Sequence, residues 1–282
     1  MKMAKFTCNF ISYTLQRTVD ITVIIPSVTI PEAMGMHAAE MDDAPEDMRG
    51  LRGKYRHTKE NKFPVLYLLH GYGNNHAQWT GYTNVELFAE ERNIAIVNIS
   101  AENKSYVRSG GDDFYSFIEE ELPDFVCGMF PISRRPEDTY IAGLSMGGFG
   151  TLVHALSNPG KYAAFGAFSA AISLNPDSLA GNDGTAKTVD PSISPNDLAD
   201  KLIAEKAAFP KSYIAIGSKD FLLEENHAFR DKLVQAGIPV TYEELPEYGH
   251  EWRFWNIEVE KFLDWLQPIR TDAYAKEGKR QI

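Results

Sequence analysis

Residues 139–156 read TYIAGLSMGGFGTLVHAL, and within them Gly143, Ser145 and Gly147 form a G-x-S-x-G pattern directly after a β-rich run and directly before a helical one. A serine on so sharp a strand-to-helix turn is held with its hydroxyl exposed. The flanking glycines are needed because side chains there would collide with the neighbouring strand and helix. Gly148 and Gly150 extend that close packing. With glycine near 7% of residues and serine similar, three such positions arise by chance about 0.1 times in a chain of this length. The surroundings must therefore decide.

A serine that attacks a carbonyl needs a base to take its proton, a third group to orient that base, and N–H donors where negative charge develops. In a doubly wound sheet these groups sit beyond the carboxyl ends of the strands, in the chain order serine, acid, histidine. The stretch SYIAIGSKDFLLEEN places Asp220 just past a β-rich run, with Glu224 and Glu225 as rival acids inside the helix that follows. VTYEELPEYGHEWRFW places His250 after the last β-rich run and before the final helix. Of the seven histidines only His250 meets the ordering rule; His227 precedes the last run, His154 sits mid-helix, and His37, His57 and His76 lie in loops. The donors expected for the oxyanion are the backbone N–H groups of Met146, after the serine, and Tyr72, in VLYLLHGYGNN. A glycine-rich strand exit without catalytic role is the plain alternative for HGYG.

These positions demand a particular scaffold. Short β-rich runs lie at 64–69, 94–99, 139–142, 163–168, 212–216 and 240–243, and several are apolar almost throughout, as strands buried on both faces of a parallel sheet are. Helical stretches at 84–92, 113–129, 146–157, 222–236 and 251–266 alternate with them, and no internal repeat is present. Residues 6–13 and 17–25 predict an antiparallel hairpin on the sheet edge. The fold class is α/β: a mostly parallel central sheet with helices on both faces, one domain over 1–282. Long connections interrupt it at about 34–62 and 172–210 and are expected to be loops or flaps. The adjacent Asp112 and Asp113 are expected to cap a helix.

The 282 residues carry 28 basic and 39 acidic side chains, a net charge of −11. That balance argues against nucleic acid or an anionic membrane surface as partner. Two cysteines, Cys8 and Cys127, make neither a disulfide framework nor a zinc site. No His, Cys or carboxylate pairs fall at ligand spacing, so no metal and no cofactor are expected. The first 20 residues lack an unbroken apolar stretch and no window reaches the roughly 18 apolar residues of a membrane helix, so a cytoplasmic protein is expected. A homo-oligomer joined through the long insertions is compatible with the sequence, although no stripe or heptad argues for one.

Taken together, the hairpin ending in VIIP, then LLHGYGNN, GLSMGGFGT, GSKDFLLEEN and YGHEW resemble, in order, the α/β-hydrolase superfamily. The similarity is to its esterase D-like group, with tributyrin esterases, feruloyl esterase domains, S-formylglutathione hydrolases and mycolyltransferases. The resemblance implies Ser145 as nucleophile, His250 as base, Asp220 as its orienting acid, and Tyr72 and Met146 as oxyanion donors. Formylglutathione hydrolases usually carry Ser-Gly where this chain has His70 and Gly71, so the turn is more similar to the tributyrin-esterase branch. The insert at 34–62 is longer than that branch implies.

The expected activity is serine carboxylesterase action on short-chain acyl esters, a small-molecule substrate. Trp79, Tyr106, Tyr115, Tyr248 and Trp252 fall in or beside the site loops with Tyr72, where they would contact the substrate or simply pack. A feruloyl or acetyl-xylan esterase, an S-formylglutathione hydrolase and an acyltransferase are the alternatives on the same three residues. A catalytically silent binding protein is the alternative from another class. Because an imidazole must be neutral to act as a base, activity is expected to decline below roughly pH 6.5.

Overall fold

A computed structural model describes residues 4–27, 62–109, 111–173 and 193–276, with backbone alone beyond 267. The insertion expected at 34–62 lies outside these residues except for its last member, as does 174–192 of the second. The chain opens with β1 (Ala4–Ser12) and β2 (Arg17–Ile25), then β3 (Val65–Leu69), α1 (Gln78–Tyr82), α2 (Val85–Glu91) and β4 (Ala95–Ile99). A two-residue ribbon follows, β5 (Arg108–Ser109) with β6 (Asp112–Asp113), then α3 (Leu122–Met129), β7 (Thr139–Leu144) and α4 (Met146–Ser157). The remainder is β8 (Ala164–Phe168), α5 (Pro195–Glu205), β9 (Lys211–Gly217), α6 (Leu223–Gln235), β10 (Val240–Leu245) and α7 (Trp252–Lys276).

Eight strands form one sheet in the order β1-β2-β4-β3-β7-β8-β9-β10. β1 with β2 and β2 with β4 pair antiparallel, and every other neighbouring pair is parallel. Side chains alternate across a pleated strand. Val65, Tyr67 and Leu69 therefore pack with α4, α5 and α6, while Leu66 and Leu68 pack with α1, α2 and α7. Helices on both faces explain why β3, β4, β7 and β8 are buried at every position instead of alternating.

Four elements differ from the expectation. The helix expected over 113–129 is interrupted: a turn at Phe114–Ser116 passes through a π-helical segment at Phe117–Glu121 before α3 begins. Pro123 has no N–H to offer the Glu119 carbonyl, which instead accepts from Lys161 Nζ. α5 lies inside the stretch expected to be a connection, and its start is marked by Ser194, whose Oγ accepts from Asn196 N at 3.2 Å, with Pro195 at the first helical position. α1 occupies a run read as loop, and α7 extends to Lys276. Of the two acids expected to cap a helix, Asp113 does so, accepting from Ser116 N at 2.9 Å. Asp112 pairs with Arg17 and Lys104.

Candidate active site

Ser145 joins β7 to α4 at φ 54°, ψ −117°. A serine in this region costs about 1–3 kcal/mol and persists only where its surroundings hold it. Here its N–H donates to the Phe168 carbonyl at 2.9 Å, and its own carbonyl accepts from Phe149 N and Ala171 N. The turn is tight enough to require its glycines. A Cβ at Gly143 would stand 2.4 Å from the Gly147 oxygen, and one at Gly147 would stand 2.5 Å from the Leu69 oxygen.

Asp220 follows β9 and His250 follows β10, both beyond the carboxyl ends of parallel strands, as Ser145 is beyond β7. Nδ1 of His250 lies 2.9 Å from Asp220 Oδ2 and 3.2 Å from Oδ1. Asp220 is buried, which by itself would raise its pKa. Hydrogen bonds from His250 and from the Leu222 amide, helped by the Ser169 hydroxyl, outweigh burial and hold the carboxyl below its usual range. The rival Glu225 is engaged elsewhere: its two oxygens accept from Ile172 N and Ser173 N. Burial pushes its pKa up, with the Asp220 charge adding to the same effect.

α4 begins at Met146, so that amide is among the first N–H groups of the helix, which have no acceptor within it. The exit from β3 is clamped from below. Tyr106 Oη donates to the His70 carbonyl at 2.8 Å and Trp79 Nε1 donates to the Leu69 carbonyl at 3.0 Å. The His70 imidazole closes the turn sideways, with Nδ1 2.7 Å from the Gly71 carbonyl and Nε2 3.1 Å from the Ala101 amide. Since Ala101 N–H can only donate, Nε2 must accept, and the ring is the neutral tautomer carrying its proton on Nδ1. Burial lowers the His70 pKa to about 4, in keeping with that assignment.

The aromatics expected beside the substrate divide. Trp79 and Tyr106 are fully buried with their polar atoms bound to backbone, and the Tyr106 ring fills the space beside Gly150; neither offers a surface to a ligand. Tyr115 stacks on His154 and accepts from Asn158, toward the C-terminal end of α4. Tyr248 and Trp252 are half-buried, and Trp252 stacks on Tyr82 at 5.1 Å between ring centroids. Tyr72 and Phe221 are exposed, at 51% and 78%, and the Phe221 ring lies 4.7 Å from the His250 ring. Sequence reasoning missed Phe221, although its place directly after Asp220 was the available signal.

The other described histidines are structural. His154, buried in α4, sits between Glu119 and the Tyr106 carbonyl, His76 bonds Thr22, and His227 bonds Glu244. His37 and His57 lie outside the described residues. Among the described residues no three His, Cys, Asp or Glu side chains are grouped to hold a metal ion, and no helix is long and apolar enough to cross a membrane.

An Esterase family profile matches residues 51–262, three quarters of the chain. The chain belongs to the Esterase family. As a member of it the protein is similar to an acetyl esterase of Caldicellulosiruptor saccharolyticus, 32% identical over 232 residues that cover 73% of this chain and 84% of the relative. Among solved structures, the fluorophosphonate-binding serine hydrolase F of Staphylococcus aureus superposes with a TM-score of 0.76 at 26% identity, covering 94% of this chain and 98% of the other. The S-formylglutathione hydrolase of the same organism gives 0.74 at 26% identity, with 94% and 99% covered. This esterase is thus an enzyme of the α/β-hydrolase fold that acts on carboxylic esters, a serine carboxylesterase of the esterase D-like group.

Proposed function

We propose that Ser145, His250 and Asp220 form the catalytic triad of this esterase and that it hydrolyses short-chain acyl esters. The observation that carries the reading is the Asp220 carboxylate on Nδ1 of His250, which leaves Nε2 as the nitrogen available to a serine hydroxyl. In the first step Ser145 Oγ attacks the ester carbonyl while Nε2 takes its proton. The amides of Tyr72 and Met146 bind the oxyanion. Collapse expels the alcohol, protonated by the same imidazole, and leaves an acyl-serine. Water, deprotonated by His250, attacks that ester; the acid departs and the proton returns to Ser145.

The acetyl esterase relative favours a small acyl group. An aromatic acyl group is the second reading, favoured by the exposed rings of Tyr72, whose amide is a proposed oxyanion donor, and of Phe221, which follows Asp220 in the chain. Cys8 and Cys127 are both free thiols, which fits the reducing cytoplasm we propose as the compartment, and the whole chain is proposed to form one domain. The test is Ser145→Ala against p-nitrophenyl acetate and butyrate, with octanoyl and feruloyl esters compared in the wild type. Loss of hydrolysis with preference for the short esters is expected. Wild-type turnover by the variant would defeat the assignment, and a preference for feruloyl esters would favour the second reading.

A further inference from the structure

A hydrogen bond through Nδ1 alone fixes where the His250 ring is anchored but leaves its plane free to tilt, and with it the aim of Nε2. A second contact on the ring is required. Two aromatic rings lie against it: Phe221, exposed on the turn, and Trp255, 5% exposed on α7, with centroids 5.0 Å from that of His250 at an interplanar angle of 89°. Trp255 is itself tethered, because its Nε1 donates to Ser169 Oγ at 3.2 Å.

Ser169 is the residue after β8 and lies in the left-handed region at φ 43°, fully buried, its amide donating to the Ala215 carbonyl at 2.8 Å. It thus ends the strand beside β7 much as Ser145 ends β7, and the preceding carbonyl, that of Phe168, accepts from Ser145 N. A run of contacts therefore links the serine turn to the imidazole: Ser145 to Phe168, the adjoining Ser169 to Trp255, and Trp255 to His250.

We propose that Trp255 and Ser169 act as a positioning pair, the Ser169 hydroxyl holding the Trp255 indole so that it sets the plane of the His250 ring and the aim of Nε2 toward Ser145. The inference deepens the triad reading and rests on it. Neither residue exchanges a proton with substrate, so loss of either should lower turnover and leave substrate binding alone.

Trp255→Phe keeps a ring and removes the N–H; Ser169→Ala removes its acceptor and, with it, the hydroxyl that supports the Asp220 carboxylate. Each is expected to lower kcat about 10-fold, with KM within about twofold of wild type. Because Trp255→Phe acts only through its bond to Ser169, the double variant should be no slower than Ser169→Ala alone. Wild-type kcat in both single variants, effects that multiply in the double variant, or a change in KM alone would overturn the pairing. Each single variant is informative without the other should one of them fail to fold. Ser145→Ala measured alongside separates the two levels. If it keeps full activity the triad reading fails, whereas if it is inactive while Trp255→Phe and Ser169→Ala match wild type, only the positioning pair fails.

Discussion

Asp220 holds His250 through both carboxylate oxygens, at 2.9 and 3.2 Å from Nδ1, although the two residues stand 30 positions apart and leave different strands. The arrangement fixes the tautomer as well as the point at which the ring is anchored, since a carboxylate on Nδ1 requires the proton there. Asp220→Asn should therefore lower kcat by about 10⁴-fold while the protein stays folded, because an amide can stabilise the wrong tautomer. Glu225→Gln, at the rival acid, should cost less than about tenfold. Steady-state kinetics on p-nitrophenyl butyrate decide; a larger loss at Glu225 than at Asp220 would reassign the acid.

The sequence leaves Tyr106 either to contact the substrate or to pack, and its burial beneath the β3 exit makes the second outcome testable. Tyr106→Phe removes the hydroxyl that binds the His70 carbonyl. Stability should fall by about 1–3 kcal/mol, the cost of leaving a buried acceptor unpaired, with KM unchanged. A raised KM at wild-type stability would return Tyr106 to the substrate side.

The G-x-S-x-G glycines give a prediction about folding alone. A methyl group at Gly143 meets the Gly147 backbone at 2.4 Å, and backbone cannot rotate away as a side chain end can. Gly143→Ala should destabilise by at least about 1–3 kcal/mol. Urea unfolding measures it, and a midpoint equal to wild type would mean the turn has room for the methyl group.

His70 gives the fold a pH dependence whose sign can be worked out. Its folded pKa is about 4, lowered by burial, against an ordinary value near 6.5 in the unfolded chain. Between these values the unfolded chain binds a proton that the folded one refuses, so stability is complete above about pH 6.5 and falls as the pH drops toward 4. The share of His70 between pH 7 and pH 5 is about 2 kcal/mol. His76, also lowered by burial, adds in the same direction. Unfolding free energies of wild type and His70→Gln at the two pH values should show a smaller acid loss in the variant; equal losses would place the His70 proton elsewhere.

Much of this was legible in the sequence because the signals were local and repeated. Six β-rich runs became the parallel strands β3, β4 and β7 to β10, and the two N-terminal runs became the antiparallel β1 and β2. The Asp220–His250 contact followed from chain order combined with the rule that functional residues gather beyond strand ends. What stayed hidden depends on burial and on contacts between distant segments. Nothing local distinguishes Trp79 and Tyr106, which bind backbone under the site, from Tyr72 and Phe221, which face solvent. Ser169 and Trp255 meet only because β8 ends beside the start of α7, 86 residues apart in the chain. α5 was readable after all, from a serine followed by a proline, but the polar composition around it masked that start signal.

The most direct measurement is covalent labelling of the serine turn. Wild-type enzyme incubated with a fluorophosphonate should gain the mass of one adduct, map to the peptide carrying Ser145, and lose esterase activity in proportion. Ser145→Ala should neither label nor hydrolyse p-nitrophenyl butyrate detectably. An adduct on a different residue, or wild-type hydrolysis by Ser145→Ala, would contradict the assignment of Ser145 as the nucleophile.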